Sequence, residues 1–273
     1  NIAGSSGGAM YCIASSSPVA TNCTFSGNQA GSSGGAVFCS ASTVVMSHCT
    51  ISGNAAGSGG GGFYQLSGAL AVSSSILWDD RGGEIASSGL PQVTYSVVQG
   101  GYQGAGNWSA DPLLAPLGSY GGSTETMPVN PGSPAIGAGI STGMPASDQR
   151  DFTRLAPPTS GACEFQSRLA YVVVTDTSGG RFALPLIPVA LVAHSEGELP
   201  TYQWFRGLSG DESNPVAGAT GRTLSLVSWA ADDACWVKVT AGAAGQRISI
   251  NSPAFESPTT LNYHDWTAFF GLT

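Results

Sequence analysis

Residues 28–39 read Asn28-Gln29-Ala30-Gly31-Ser32-Ser33-Gly34-Gly35-Ala36-Val37-Phe38-Cys39. Three glycines, two serines and two alanines, which can neither hold a helix nor fill a core, run straight into Val37-Phe38-Cys39. The same phrase stands 27 residues earlier as NIAGSSGGAMYC, from Asn1 to Cys12, with only Ile2, Met10 and Tyr11 changed. Cys23-Thr24-Phe25-Ser26-Gly27-Asn28 returns as Cys49-Thr50-Ile51-Ser52-Gly53-Asn54 at an offset of 26. A looser copy follows, in which Gly60 to Tyr64 answers Gly34 to Phe38 and Leu70 to Leu77 answers Val44 to Ile51. Such recurrence speaks against a flexible Gly/Ser linker. It is the mark of stacked units, none of which buries its apolar face alone.

The segments between the glycines are short and β-branched or alternating, with no sustained 3.6-residue apolar period. The Leu/Asn pattern of leucine-rich repeats is absent. A unit of this length carrying two or three short strands suits a right-handed parallel β-helix, whose coils pair at about 4.8 Å. Gly34 and Gly35 then sit at a corner, where the backbone needs positive φ or close approach to the next coil. Asn1, Asn28 and Asn54 are expected to stack in single file at one corner, bonding coil to coil.

Composition narrows the function. Charged residues make up 10% of the 273-residue chain and the net charge is −8, which excludes the basic face that nucleic-acid binding needs. No apolar run is long enough to span a membrane. The first residue falls inside a repeat, so further coils are expected upstream of a processed or partial chain. Cys12 and Cys39 occupy equivalent coil positions, as do Cys23 and Cys49. Bridges between coils, bridges within a coil (Cys12–Cys23, Cys39–Cys49) and a ladder of thiols are all open readings. Cys163 and Cys235 stand alone.

From Leu90 the period fades. Val93 to Tyr102, Gly106 to Leu114, Asn130-Pro131-Gly132-Ser133-Pro134-Ala135-Ile136-Gly137-Ala138-Gly139, Asp148-Gln149-Arg150 and Gly161-Ala162-Cys163-Glu164 resemble the closing coils of the choice-of-anchor family of secreted bacterial β-helix proteins. The GGA and SGN repeats are also similar to those of chlamydial polymorphic outer-membrane proteins. The resemblance covers about residues 1–165 and departs from the family at Gly137, usually Asp, and at Cys163, usually aromatic. Independently, the Asn-Pro-Gly-Ser-Pro turn cluster suits a cap over exposed strand edges.

After Phe165 short strands alternate with turn signals, the texture of a sandwich. Tyr202-Gln203-Trp204, Ala217 to Leu226 and Asp232 to Thr240 resemble a bacterial immunoglobulin-like domain. The resemblance implies that Trp204 is the buried strand-C tryptophan. Ala193 stands where a disulfide cysteine is expected, Lys238 or Val239 takes the other place, and Trp236 replaces the corner tyrosine. In the tail, Tyr263, Trp266 and Phe270 at i, i+3 and i+7 predict a short helix begun by Asn262 and ended by Gly271. That tail resembles a linker to a sorting or anchoring region.

Chemistry is sparse. Residues 1–77 contain no Asp, Glu, Lys or Arg, whereas polysaccharide lyases and hydrolases need clustered carboxylates. Asp79, Asp80, Arg81 and Glu84 read as a solvated corner loop where the repeat breaks. Asp111, Asp148, Arg150 and Asp151 read as caps and turns, with Arg150 and Asp151 able to pair with each other or with the final coil. His48, His194 and His264 have no metal-spaced partners, and no nucleophile elbow is present. Asn22-Cys23-Thr24 and Asn107-Trp108-Ser109 match the glycosylation pattern, although Asn22 shares its repeat position with His48 and Ser74. Tyr11, Phe38 and Tyr64 form a column that would either stack sugars or support the coils.

The expectation is an all-β chain: a right-handed parallel β-helix over 1–165, an immunoglobulin-like β-sandwich over 166–257, and a linker with a short helix over 258–273. Its expected role is non-catalytic, an extracellular or cell-surface stalk for adhesion or for a surface layer or filament. Self-association, other surface proteins or glycans are the expected partners, with no cofactor or metal. The alternative is a carbohydrate-active or carbohydrate-binding β-helix.

Overall fold

A computed structural model of the chain describes residues 1–166, 172–176, 189–197, 200–226, 234–241, 248–252 and 254–256. The chain divides into two compact units, residues 1–165 and 166–273. The expected helix at 262–271 lies outside the described residues. Among the described residues no helix is long and apolar enough to cross a membrane.

The first unit is a stack of coils with four parallel faces. One face joins Ile2–Ala3, Gln29–Ala30 and Ala55–Ala56. The next joins Met10–Cys12, Val37–Cys39, Phe63–Gln65 and Ile85–Ser87. The third joins Val19–Thr21, Ser42–Ser47, Gly68–Ser73 and Gln92–Thr94. The fourth joins Thr24–Ser26, Thr50–Ser52, Ile76–Trp78 and Val97–Val98. Strand pairing follows the sequence repeat, since Met10 faces Val37 and Val37 faces Phe63. The next step is shorter: Phe63 faces Ile85 and Leu77 faces Val98. Four residues are lost at the corner between Arg81 and Ile85 and a fifth between Ser87 and Gln92, so the coil continues where the sequence period disappears.

Alternation along Ser42–Ser47, buried at every second position, sends Val44 and Met46 inward. They pack with Val37, Ile51, Phe63, Leu70, Val72 and Leu77 in a closed core. In Val37–Cys39 all three residues are buried for a different reason: Phe38 is covered by its stacked neighbours in adjacent coils.

Residues 107–166 hold no regular strand, only isolated bridges such as Leu114 to Val129. The segment is more than the end cap its prolines suggest. It runs along the side of the stack as a strap and touches every coil. Val129, Ala135 and Phe165 pack on Ile76 and Val97.

The second unit has two antiparallel sheets. Val189–Ser195 lies between Val172–Asp176 and Thr223–Leu226. Ala234–Ala241 lies between Thr201–Arg206 and Ile248–Asn251 and also pairs with Phe255–Glu256. Both sheets contribute to one core around Trp204. The indole Nε1–H of Trp204 donates to the Gly221 carbonyl at 2.9 Å. Val239 is fully buried, while Lys238 points outward to Glu212 at 2.8 Å. Of the two positions opposite Ala193 in the sequence reading, Val239 is therefore the inward one. Trp236 stacks on Phe205 at 4.4 Å between ring centroids.

Candidate functional site

The asparagines form one column. Asn1 Nδ2 donates to Asn28 Oδ1 at 2.9 Å, Asn28 Nδ2 to Asn54 Oδ1 at 2.9 Å, and Asn54 Nδ2 to Asp80 Oδ1 at 2.8 Å. Each acceptor oxygen also takes a main-chain hydrogen from the coil before it: Asn28 N to Asn54 Oδ1, 2.9 Å, and Asn54 N to Asp80 Oδ1, 2.7 Å. The column therefore runs one residue further than the sequence reading took it. Asp80 stands 26 residues after Asn54, the spacing that separates Asn54 from Asn28, and that spacing was the available signal.

This corrects the picture of a solvated loop at 79–84. Asp79 and Arg81 are exposed, but Asp80 and Glu84 are buried. Glu84 Oε1 accepts the Asp80 main-chain N–H at 3.2 Å. Asp80 Oδ2 and Glu84 Oε2 are buried without a hydrogen-bond partner. Burial pushes both carboxyls above the ordinary range, Glu84 furthest, to about 9.

A second column lies at the corner after the third face. Asn22, His48, Ser74 and Tyr95 all adopt positive φ, between 48° and 55°, so the shared repeat position encodes a left-handed corner. The strap docks along it. Asn22 Nδ2 donates to Ser147 O at 2.7 Å, Ser74 Oγ accepts the Ile140 N–H at 3.0 Å, and Ser160 Oγ donates to Tyr95 O at 2.8 Å. Arg154 Nη2 reaches Asn22 Oδ1 at 2.8 Å. Arg154 Nη1 donates to Glu164 Oε2 and the Thr159 carbonyl, and Nη2 also reaches the carbonyls of Gly161 and Ala162, while the buried Nε–H has no partner. His48 is buried with neither ring nitrogen bonded. Burial, then the charge of Arg154, holds its pKa down to about 4.

Arg150 pairs with Asp148 at 2.9 Å, both side chains fully buried, and not with the exposed Asp151. Asp148 also accepts the main-chain hydrogens of Arg150, Phe152 and Glu164. Sequence reasoning missed how the strap docks because its bonds to the coils join residues 65 to 132 apart in the chain. Both glycosylation-pattern asparagines are engaged inside the fold: Asn107 bonds Ser96, Val93 and Tyr102.

Cys12, Cys23, Cys39 and Cys49 are free thiols. Cys12 faces Cys39 across the coils, and Cys23 lies against Cys49. The contact with Cys49 lowers the Cys23 thiol to about 6, and the same contact, with burial, raises the Cys49 thiol, whereas burial raises Cys39 to about 11. Tyr11, Phe38 and Tyr64 stack at 5.1 and 5.7 Å with interplanar angles of 14° and 6°. Gly34 has φ of +69° and Gly35 lies against the next coil's backbone. Trp204 is fully buried in the second unit.

Residues 1–106 match the family model for a right handed beta helix region. The stacked coils accordingly form a right-handed parallel β-helix, and the regular structure of the described residues is all β. No curated protein and no solved structure matches the chain.

Proposed function

We propose that this chain is a non-catalytic structural or adhesive protein of the cell surface or extracellular space, in which the β-helix is a stiff shaft and the second unit an immunoglobulin-like module. The carrying observation is that the shaft's polar side chains bond to their own counterparts one coil away. Asn1–Asn28–Asn54 do so, as do Ser16 with Ser42 and Thr21 with Ser47. Side chains committed in this way give rigidity and leave few groups to act on a substrate. The strap ties all the coils together, which adds resistance to bending.

The immunoglobulin-like reading is supported by strand order. The first, second and fourth major strands form one sheet and the third, fifth and sixth the other, as in immunoglobulin sandwiches. Glycans, other surface proteins or further copies of the chain are the partners a stalk of this kind serves.

The carbohydrate reading keeps one observation in its favour, the aromatic column, whose Tyr11 is 56% exposed. The rings lie face to face, however, so they offer edges instead of the open faces that sugar rings stack upon. The full chain is to be incubated with pectins, alginates and immobilised host glycans. Retention without product release is expected. Sugar release that is abolished by Asp79→Asn would overturn the non-catalytic reading.

A further inference from the structure

The asparagine column has a rule, and its last step breaks it. At each earlier step an amide Nδ2–H donates to the next Oδ1, and that oxygen also accepts a main-chain N–H. At Asp80 the main-chain half survives, because Glu84 Oε1 takes the Asp80 N–H at 3.2 Å as an asparagine oxygen would. The side-chain half has lost its hydrogen. Where the amide nitrogen would be, Asp80 carries Oδ2, an acceptor facing another carboxyl. Asp80 Oδ2 and Glu84 Oε2 are both buried and both unpartnered. Asp80 and Glu84 are 6% and 7% exposed. Two bare carboxylates so placed would repel each other in a medium that hydrates neither.

We propose that Asp80 and Glu84 hold one shared proton between their carboxyls, and that this proton replaces the missing amide hydrogen and fastens the fourth coil to the column. The pair thus carries one negative charge, and the O–H of one carboxyl donates to an oxygen of the other. The surroundings leave that role to a proton. Asn54 on the preceding coil is already engaged with Oδ1. Gly62 packs so near that an added Cβ would lie 2.8 Å from Oδ2. The charge of Asp79 raises both carboxyls further. Among the described residues no salt bridge reaches either acid. The groups therefore titrate upward. Their contribution to stability is fully present below the ordinary carboxylate range and is lost as pH rises toward 9, because the unfolded chain releases the proton that the fold retains.

The test follows thermal melting of the β-helix in the full chain between pH 5 and pH 9, for the natural sequence, Asp80→Asn and Glu84→Gln. Either amide supplies the missing hydrogen permanently. The natural chain is expected to lose several degrees over this range. Both variants are expected to melt at nearly constant temperature between pH 6.5 and 9, above the range in which His48 titrates, and above the natural chain at pH 9. Parallel slopes in all three would overturn the proposal, as would a pH 9 midpoint restored by millimolar calcium, magnesium or sodium, which would mark a cation site. Infrared spectroscopy gives a readout independent of variant folding: a protonated carboxyl band at pH 7 in the natural chain is expected, and its absence would equally overturn the proposal.

Discussion

Asn28 is bonded to Asn54 twice, once through its main-chain N–H and once through its amide Nδ2–H, both at 2.9 Å to the same Oδ1. That single oxygen satisfies two buried donors of the coil above it. Asn54→Ala strips both at once and also removes the donor to Phe25 O and Asp80 Oδ1. Leaving buried donors unmade costs about 1–3 kcal/mol each, so the expected loss is about 3 kcal/mol. Chemical denaturation of the β-helix measures it. A loss under 1 kcal/mol would mean that water replaces the column's bonds.

Gly35 tests the coil spacing. A methyl group at this position would lie 2.6 Å from Ala55 O and closer still to Gly61 O. These are backbone atoms of the next coil, which move only if the coils part. Overpacking against fixed atoms costs about 1–3 kcal/mol or more. Gly35→Ala is expected to lower the melting midpoint by at least as much as Gly34→Ala, where the penalty comes from a φ of +69° and the close Val37 carbonyl. Gly53→Ala provides the contrast, because its φ is also +69° but no atom lies within 4 Å of the added Cβ.

Arg154 makes the strap depend on the stack. Its guanidinium bonds Asn22 in the first coil and Glu164 and three carbonyls of the strap itself. Arg154→Met keeps the volume but leaves Glu164 buried without its cation. Breaking a buried pair from one side costs about 3–5 kcal/mol. Hydrogen exchange over residues 146–165 is expected to accelerate strongly, with the interior strands Val37–Cys39 and Ser42–Ser47 little changed. Equal acceleration in both regions would show that strap and coils unfold as one.

Legibility differed from one part of the molecule to another for physical reasons. The coils were readable because each repeats the demands of the one before: Asn at one corner, Gly34 and Gly35 at another, alternating apolar residues between. The fourth coil was not, because the corner at 79–84 is shorter than its predecessors and erases the period while the strands go on pairing. Asp80 was readable in principle from its spacing, but Glu84 was not, since it takes an asparagine's place from four residues along the same loop. The strap's contacts with Asn22, Thr24 and Thr50 join residues far apart in the chain, and neither periodicity nor local propensity records them.

His48 sets the acid limit of the first unit. The imidazole is buried in the corner column, unbonded and beside Arg154, so it folds neutral. Its pKa falls from the ordinary 6.5 to about 4. The stability it permits is complete above pH 6.5 and is lost as pH falls toward 4, because the unfolded chain takes up a proton that the fold refuses. A shift of this size corresponds to at most about 3 kcal/mol. His48→Asn removes the titrating ring and keeps a residue suited to the left-handed φ of 51° found there. Between pH 6.5 and 4 the variant is expected to lose less stability than the natural chain in denaturant titrations of the β-helix. His194, also held down to about 4 by burial in the second unit, serves as the control: His194→Asn should leave the β-helix profile unchanged. If the natural chain and His48→Asn keep the same acid slope, the ring is accessible to water and takes its proton without disturbing the corner.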